Sequence, residues 1–268
     1  MENIVKNKCN HLIITGDISD TSNIADLRYV KSVLKKYKLY SPDNLTVTIG
    51  NHDIFGGAKK GPEVYLFPSE CKNTNYDSKV QKFYEILTTK EELASGQFNK
   101  NIFPNSKKIS NGIAIISVNS IAKWSADLNP IASNGLVSKS DIKRLETILR
   151  KKDLHNKFMI VLIHHHFNEP DINKLGDSHS LWLYSERNTM KIHNKNEITD
   201  LFDRCKVDLI LHGHTHITES YKINRSLYIN SSGCIMPFTD NRLNQYHIII
   251  FPDAESNPFN FEIKKITF

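Results

Sequence analysis

Residues 208–218 read DLILHGHTHIT. An aliphatic run, Leu209 to Leu211, leads straight into His212, His214 and His216, set around Gly213. A short apolar run closed by glycine reads as a buried strand, and histidine is not the natural way to end one. The same construction occurs three more times. HLIIT (11–15) runs into GDISD, LTVTI (45–49) into GNHD, and FMIVLI (158–163) into HHHF. In sheets of this type the carboxyl ends of the strands share one edge, which is where ligands bind. Clusters distant in sequence therefore meet, bringing the carboxylates of Asp17 and Asp20, the amide oxygen of Asn51, and the imidazoles of His52, His164, His214 and His216. Oxygen and nitrogen ligands without thiolate suit Mn, Fe, Zn or Co, not Cu(I) or an iron–sulfur cluster. Gly16, Gly50 and Gly213 each follow a strand and precede one of these side chains, where the chain must turn sharply and approach an ion closely.

Working outward, GIAIISVN (112–119), SLYINSS (226–232), YHIIIF (246–251) and FNFEIKKITF (259–268) are further strands. Helical spacing joins Ile24, Leu27, Val30, Leu34 and Tyr37 behind a cap at Ser22 or Asn23. It recurs at Ile142, Leu145, Ile148 and Leu149 after Ser138 and Ser140, and again at Ile198, Leu201, Phe202 and Cys205. Strands and helices alternate and then strands alone finish the chain, which predicts one layered α/β domain over 1–268 with a buried sheet and a second sheet nearby. Two polar segments break the alternation. Residues 56–111 are expected to form a small cap, with a helix around Phe83, Ile86 and Leu87, and 167–195 a long active-site loop.

The composition is ordinary for a globular protein, with 39% hydrophobic and 24% charged residues. No apolar run approaches the ~18 residues of a membrane span, and the charged N-terminus lacks the apolar core of a secretory signal. Cys9, Cys71, Cys205 and Cys234 form no CxxC pair and read as free thiols in a reducing cytoplasm. The net charge of +6 is spread along the chain, as on a solvated surface, without a dense basic block.

The ordered set GD…GNHD…VLIH…GHTH resembles the calcineurin-like metallophosphoesterases, whose motifs are D-x-H, G-D-x-x-D, G-N-H-D/E, a lone His and G-H-x-H. The likeness runs from about residue 11 to 235 and covers four of the five motifs. It implies two facing mixed sheets flanked by helices, a four-layer sandwich, with two divalent metal ions (Mn, Fe or Zn) at the strand ends. On that resemblance Asp17 bridges both ions; Asn51, His164 and His214 complete one set, and His216 belongs to the other. His52 resembles the histidine beside the leaving group, and Asp20 the acid that orients it. Strand alternation within HHHF would keep His164 and His166 from both lying beside His165. The resemblance favours His164 as the ligand and leaves His165 to either substrate contact or packing.

One motif is absent. No Asp-x-His precedes Asp17, so the second ion keeps only Asp17 and His216 and is expected to be weakly held. The strand that carries the motif would be missing, leaving HLIIT as an exposed edge. An upstream start of the natural protein is the expected cause; a partner chain supplying the motif, or a one-metal or inactive form, are the others.

The functional expectation is hydrolysis of a phosphodiester or phosphomonoester of a small or nucleotide substrate, without a membrane partner. ISDTS after Asp17 lacks the Arg-Gly of the Ser/Thr protein phosphatases, which weighs against a phosphoprotein. A nuclease acting on nucleic acid, and a non-catalytic interaction module that kept the fold, are the alternatives.

Overall fold

The computed structural model describes residues 1–57, 65–89, 92, 102–168, 190–215, 218–231 and 244–267. Its centre is a six-stranded sheet of β3 (Asn105–Lys108), β4 (Ile113–Ser117), β5 (Phe158–Leu162), β6 (Leu209–His212), β8 (Ser226–Ser231) and β7 (Thr218–Ile223), in that spatial order. β4, β5, β6 and β8 run parallel, while β3 and β7 close the two edges antiparallel. The aliphatic sequences of β4, β5 and β6 follow from this placement, because a parallel strand is covered on both faces and has no polar side.

The two faces use alternate residues of the same strands. Ala114, Ile116, Met159, Val161 and Ile210 pack on α6 (Lys139–Leu149) and α7 (Lys195–Arg204) through Ile142, Leu145, Leu149, Ile198, Leu201 and Phe202. Ile113, Ile115, Phe158, Ile160, Leu162, Leu209 and Leu211 meet Ile13, Ile249 and Ile263 instead. Those three belong to β1 (Leu12–Ile14) and to the antiparallel pair β9 (Gln245–Ile250) and β10 (Glu262–Thr267). β1 runs parallel to β2 (Leu45–Val47). Its other side chains, Leu12 and Ile14, pack with β2 against Val30 and Leu34 of α2 (Ile24–Lys36). Helices, the large sheet, a second layer of strands and α2 thus make four layers, as the resemblance implied. Truncating a fully buried member such as Leu145 is expected to cost about 2–5 kcal/mol.

Capping sets the helix starts. The Asn23 side chain accepts the Ala25 N–H at 2.9 Å, and Ser138 accepts that of Asp141 at 3.1 Å. Asp26 in the first turn of α2 and Lys35 and Lys36 in its last turn complement the helix dipole.

Within 56–111 lie α4 (Phe67–Asn73), α5 (Tyr76–Leu87) and β3. α5 carries the expected Phe83 and Leu87 and packs on α2 and on α3 (Asn51–Phe55), extending a shared apolar cluster. Most of the expected 167–195 loop, residues 169–189, lies outside the described residues. α1 (Glu2–Lys6) precedes β1. Among the described residues β1 pairs only with β2. No described helix is long and apolar enough to cross a membrane.

Candidate metal centre

Asp17 follows β1, Asn51 opens α3 after β2, His164 follows β5 and His214 follows β6. Parallel register aligns the last two, since Leu162 pairs with Leu211 and the Gly213 N–H donates to the His164 carbonyl at 3.0 Å. Asp17 and His214 adopt φ of 54° and 78°. Such values are uncommon for residues with a side chain and concentrate at functional sites. The approach is close. A Cβ on Gly50 would stand 2.0 Å from Asp17 Oδ1, so only glycine leaves room for that carboxylate.

Four atoms converge. His164 Nε2 lies 3.1 Å from Asn51 Oδ1, 3.1 Å from His214 Nδ1 and 3.2 Å from Asp17 Oδ2. The other nitrogen of each imidazole is committed to a main-chain carbonyl, His164 Nδ1 to Thr15 at 2.7 Å and His214 Nε2 to Ser133 at 3.1 Å. A carbonyl only accepts, so those nitrogens carry the protons, and each ring when neutral presents its lone pair at Nε2 or Nδ1. Two imidazole nitrogens, a carboxylate oxygen and an amide oxygen then face one point without a donor among them. Such an arrangement is costly unless a proton or a cation resolves it. Asp17, His164 and His214 form a group able to hold a metal ion, and Asn51 adds an oxygen without adding charge. The residues fit a divalent ion.

The electrostatics show the same demand for positive charge. Burial alone would raise the Asp17 carboxyl, but His164, His52 and the His52 N–H at 3.0 Å outweigh it and hold it well below the usual carboxylate range. Burial opposes charge on His164 as well, yet Asp17 and the Thr15 carbonyl keep its pKa above the ordinary value. Asp53 is pushed up to about 7 by burial and by the Asp17 charge, against the N–H groups of Gly50 and Ser19, each 2.8 Å away. Its bond to Gly50 is the return half of a capping box and starts α3 at the motif itself.

His52 and Asp20 meet beside this cluster, with Nδ1 and Oδ1 3.0 Å apart. Burial works against protonation of His52, but Asp20, Asp17 and Asp53 together raise its pKa. The Asp20 carboxylate itself is 84% exposed, and its loop is held from several sides. Gly57 N–H donates to the Asp20 carbonyl at 2.7 Å, the Ser19 and Thr21 hydroxyls donate to Asp26, and Lys79 Nζ of α5 donates to the Ser22 carbonyl and hydroxyl at 2.7 and 3.0 Å.

Six of the seven expected side chains, Asp17, Asp20, Asn51, His52, His164 and His214, therefore come together. The seventh, His216, lies outside the described residues. The alternation expected across HHHF does not govern it, because β5 ends at Leu162, before the histidines. His164, His165 and His166 are all buried, with ring centroids 4.8, 4.4 and 5.9 Å from that of His214. His165 is fully buried, with both ring nitrogens hydrogen-bonded. Burial and neighbouring histidines hold it well below the usual imidazole range, and burial with Lys195 and His164 pushes His166 down to about 4. The Thr15 and Ser133 carbonyls carry no signal in the sequence. Asp53 did, as an acid three residues past a helix-opening glycine.

The family model for calcineurin-like phosphoesterases matches residues 1–218, and the chain belongs to that family. A dimetal phosphatase from Danio rerio shares the fold at a TM-score of 0.50 and 10% identity, over 86% of this chain and 74% of that one. Purple acid phosphatase PPD1 from yellow lupin does so at 0.50 and 12%, over 90% of this chain and 41% of that one. No curated protein sequence matches the chain.

Proposed function

We propose that this chain is a metal-dependent phosphoesterase that hydrolyses a phosphodiester or phosphomonoester of a small or nucleotide substrate. The observation that carries the reading is the convergence of Asp17 Oδ2, Asn51 Oδ1, His164 Nε2 and His214 Nδ1 around one point. A divalent ion held there would supply Lewis acidity and a water that ionises near neutral pH. His52 is anchored through Nδ1 to Asp20, which leaves Nε2 to hold a proton for the leaving oxygen. Its raised pKa suits an acid that must still be protonated at neutral pH. Asp17 Oδ1 already accepts the His52 N–H, so the carboxylate positions the acid as well as the ion. The second ion of the family centre would rely on Asp17 and His216 from this chain.

The test is hydrolysis of bis-p-nitrophenyl phosphate and p-nitrophenyl phosphate by chelator-stripped protein supplied with Mn²⁺, Zn²⁺ or Fe²⁺. Metal-dependent turnover of either ester is expected. Stoichiometric metal binding without turnover of any ester would replace the reading with an interaction module. Polynucleotide cleavage with steep salt dependence would move it to a nuclease.

A further inference from the structure

We propose that His165 is a positioning residue for the metal centre: through the Ser133 carbonyl it fixes the tautomer and orientation of His214 without touching the ion. This inference rests on the reading of His214 as a ligand.

The Ser133 carbonyl oxygen lies 3.1 Å from His165 Nε2 and 3.1 Å from His214 Nε2. A carbonyl has two lone pairs and here faces two imidazole N–H groups. At its other nitrogen, His165 Nδ1 lies 2.8 Å from the Ser120 hydroxyl, whose oxygen also accepts the His165 main-chain N–H at 3.3 Å. Because the Ser133 carbonyl only accepts, His165 carries its proton on Nε2, and its Nδ1 lone pair accepts the Ser120 hydroxyl proton. The chain of bonds Ser120, His165, Ser133, His214 ends with the His214 lone pair on Nδ1, the atom 3.1 Å from His164 Nε2. Each link admits one direction of donation.

The surroundings make this a rigid clamp. His165 and Ser120 are fully buried. A Cβ on Gly135 would stand 2.7–2.9 Å from three ring atoms of His165, so the backbone is seated directly on the imidazole. The turn that presents Ser133 is knit by two buried amides. Asn129 Nδ2 donates to Ala122 O at 2.8 Å, its Oδ1 accepts the Asn134 N–H at 2.8 Å, and Asn134 Nδ2 donates to Leu128 O at 2.7 Å. A buried imidazole with both nitrogens committed beside a metal cluster has more specification than packing alone requires. Outer partners of ligating histidines typically change metal affinity about 10–100-fold.

The experiment uses the full chain stripped of metal, with Mn²⁺ affinity read by calorimetry and the His214 tautomer by long-range ¹H–¹⁵N NMR of the imidazoles. His165→Phe, which keeps a ring but donates nothing to Ser133, is expected to weaken Mn²⁺ about 10–100-fold and to give His214 mixed tautomers. His165→Gln, with an amide donor, should recover part of the affinity. An unchanged affinity together with a single Nε2–H tautomer in His165→Phe would overturn the proposal. If His165→Phe does not fold, Ser120→Ala decides, because it removes the hydroxyl that seats the His165 ring against Ser133. Several-fold weaker Mn²⁺ supports the clamp and wild-type affinity overturns it. His214→Ala separates the two readings. Retained metal there refutes the ligand assignment, whereas lost metal beside an unaffected His165→Phe refutes the clamp alone.

Discussion

His52 Nδ1 stands 3.0 Å from Asp20 Oδ1, joining the helix after the second strand to the loop after the first. The imidazole is more buried than the carboxylate that orients it, so its second nitrogen belongs to the site and Asp20 to the rim. His52→Ala is accordingly expected to keep its metal and lose about 10²–10⁴-fold in kcat, most severely for esters with poor leaving groups. His214→Ala should lose metal. Elemental analysis of both variants checks the division of roles, and equal metal loss would show it to be wrong.

Asp17→Asn removes the only carboxylate at the point of convergence among the described residues, while the strands beneath it pack through Leu12, Ile13 and Ile14. Tight metal binding and hydrolysis should both disappear with the circular dichroism spectrum unchanged. A variant with near-native metal content would contradict the assignment.

Metal titration of the wild-type chain should find one firm site and a second that fills only at high Mn²⁺. The proposed firm site draws on Asp17, Asn51, His164 and His214, whereas the family resemblance offers Asp17 and His216 for the other. Two firm sites by calorimetry would mean that additional side chains of this chain complete the centre.

Lys79 reaches from α5 to the Ser22 carbonyl and hydroxyl, two residues beyond Asp20. Lys79→Met should let the Asp20 loop drift and cost up to about 10²-fold in kcat, the scale of a small misplacement. KM and metal content should stay near wild type, and Lys79→Arg should recover part of the rate. A change confined to KM would place Lys79 in substrate binding instead.

His11 links the two short strands, with Nδ1 2.6 Å from Asp43 O and Nε2 2.9 Å from the Thr46 hydroxyl. Burial lowers its pKa below the ordinary 6.5, against a smaller opposing effect of the Asp43 carbonyl. The unfolded chain then binds the proton more readily. The contribution of neutral His11 is full above about pH 6.5 and is lost as pH falls through the window below it, at no more than about 1.4 kcal/mol per pH unit. Denaturant midpoints of wild type and His11→Gln should differ most at pH 8 and converge toward pH 5. A difference independent of pH would refute this.

The alternating halves of the fold were legible because buried parallel strands leave a plain aliphatic signature, as in FMIVLI and DLILH. β3 and β7 were not. NSKK carries no apolar residue, and TESYKI is largely polar; among the described residues each is an edge strand with one partner, and its place is dictated by the neighbour it pairs with. α3 was hidden inside GNHD, which reads as the close of a strand until Asp53 is recognised as a cap for Gly50. At the site, side chains with distinctive chemistry were readable, from Asp17 to His214. The carbonyls of Thr15 and Ser133 were not, because any residue supplies a carbonyl and only the path of the backbone aims it.

Asp17 hangs from the β1–β2 layer, whereas His164 and His214 hang from the six-stranded sheet. An ion between them would therefore act as a rivet across a seam. The β1–β2 ladder is only three residues long on each strand, and β1 is incompletely buried, so that layer has little cohesion of its own. Binding at 1,000 times Kd adds about 4.1 kcal/mol to the folded state, and here that gain falls on the weaker layer. Chelation should thus speed amide hydrogen exchange first in Leu12–Ile14 and Leu45–Val47, well before β5 and β6 begin to open.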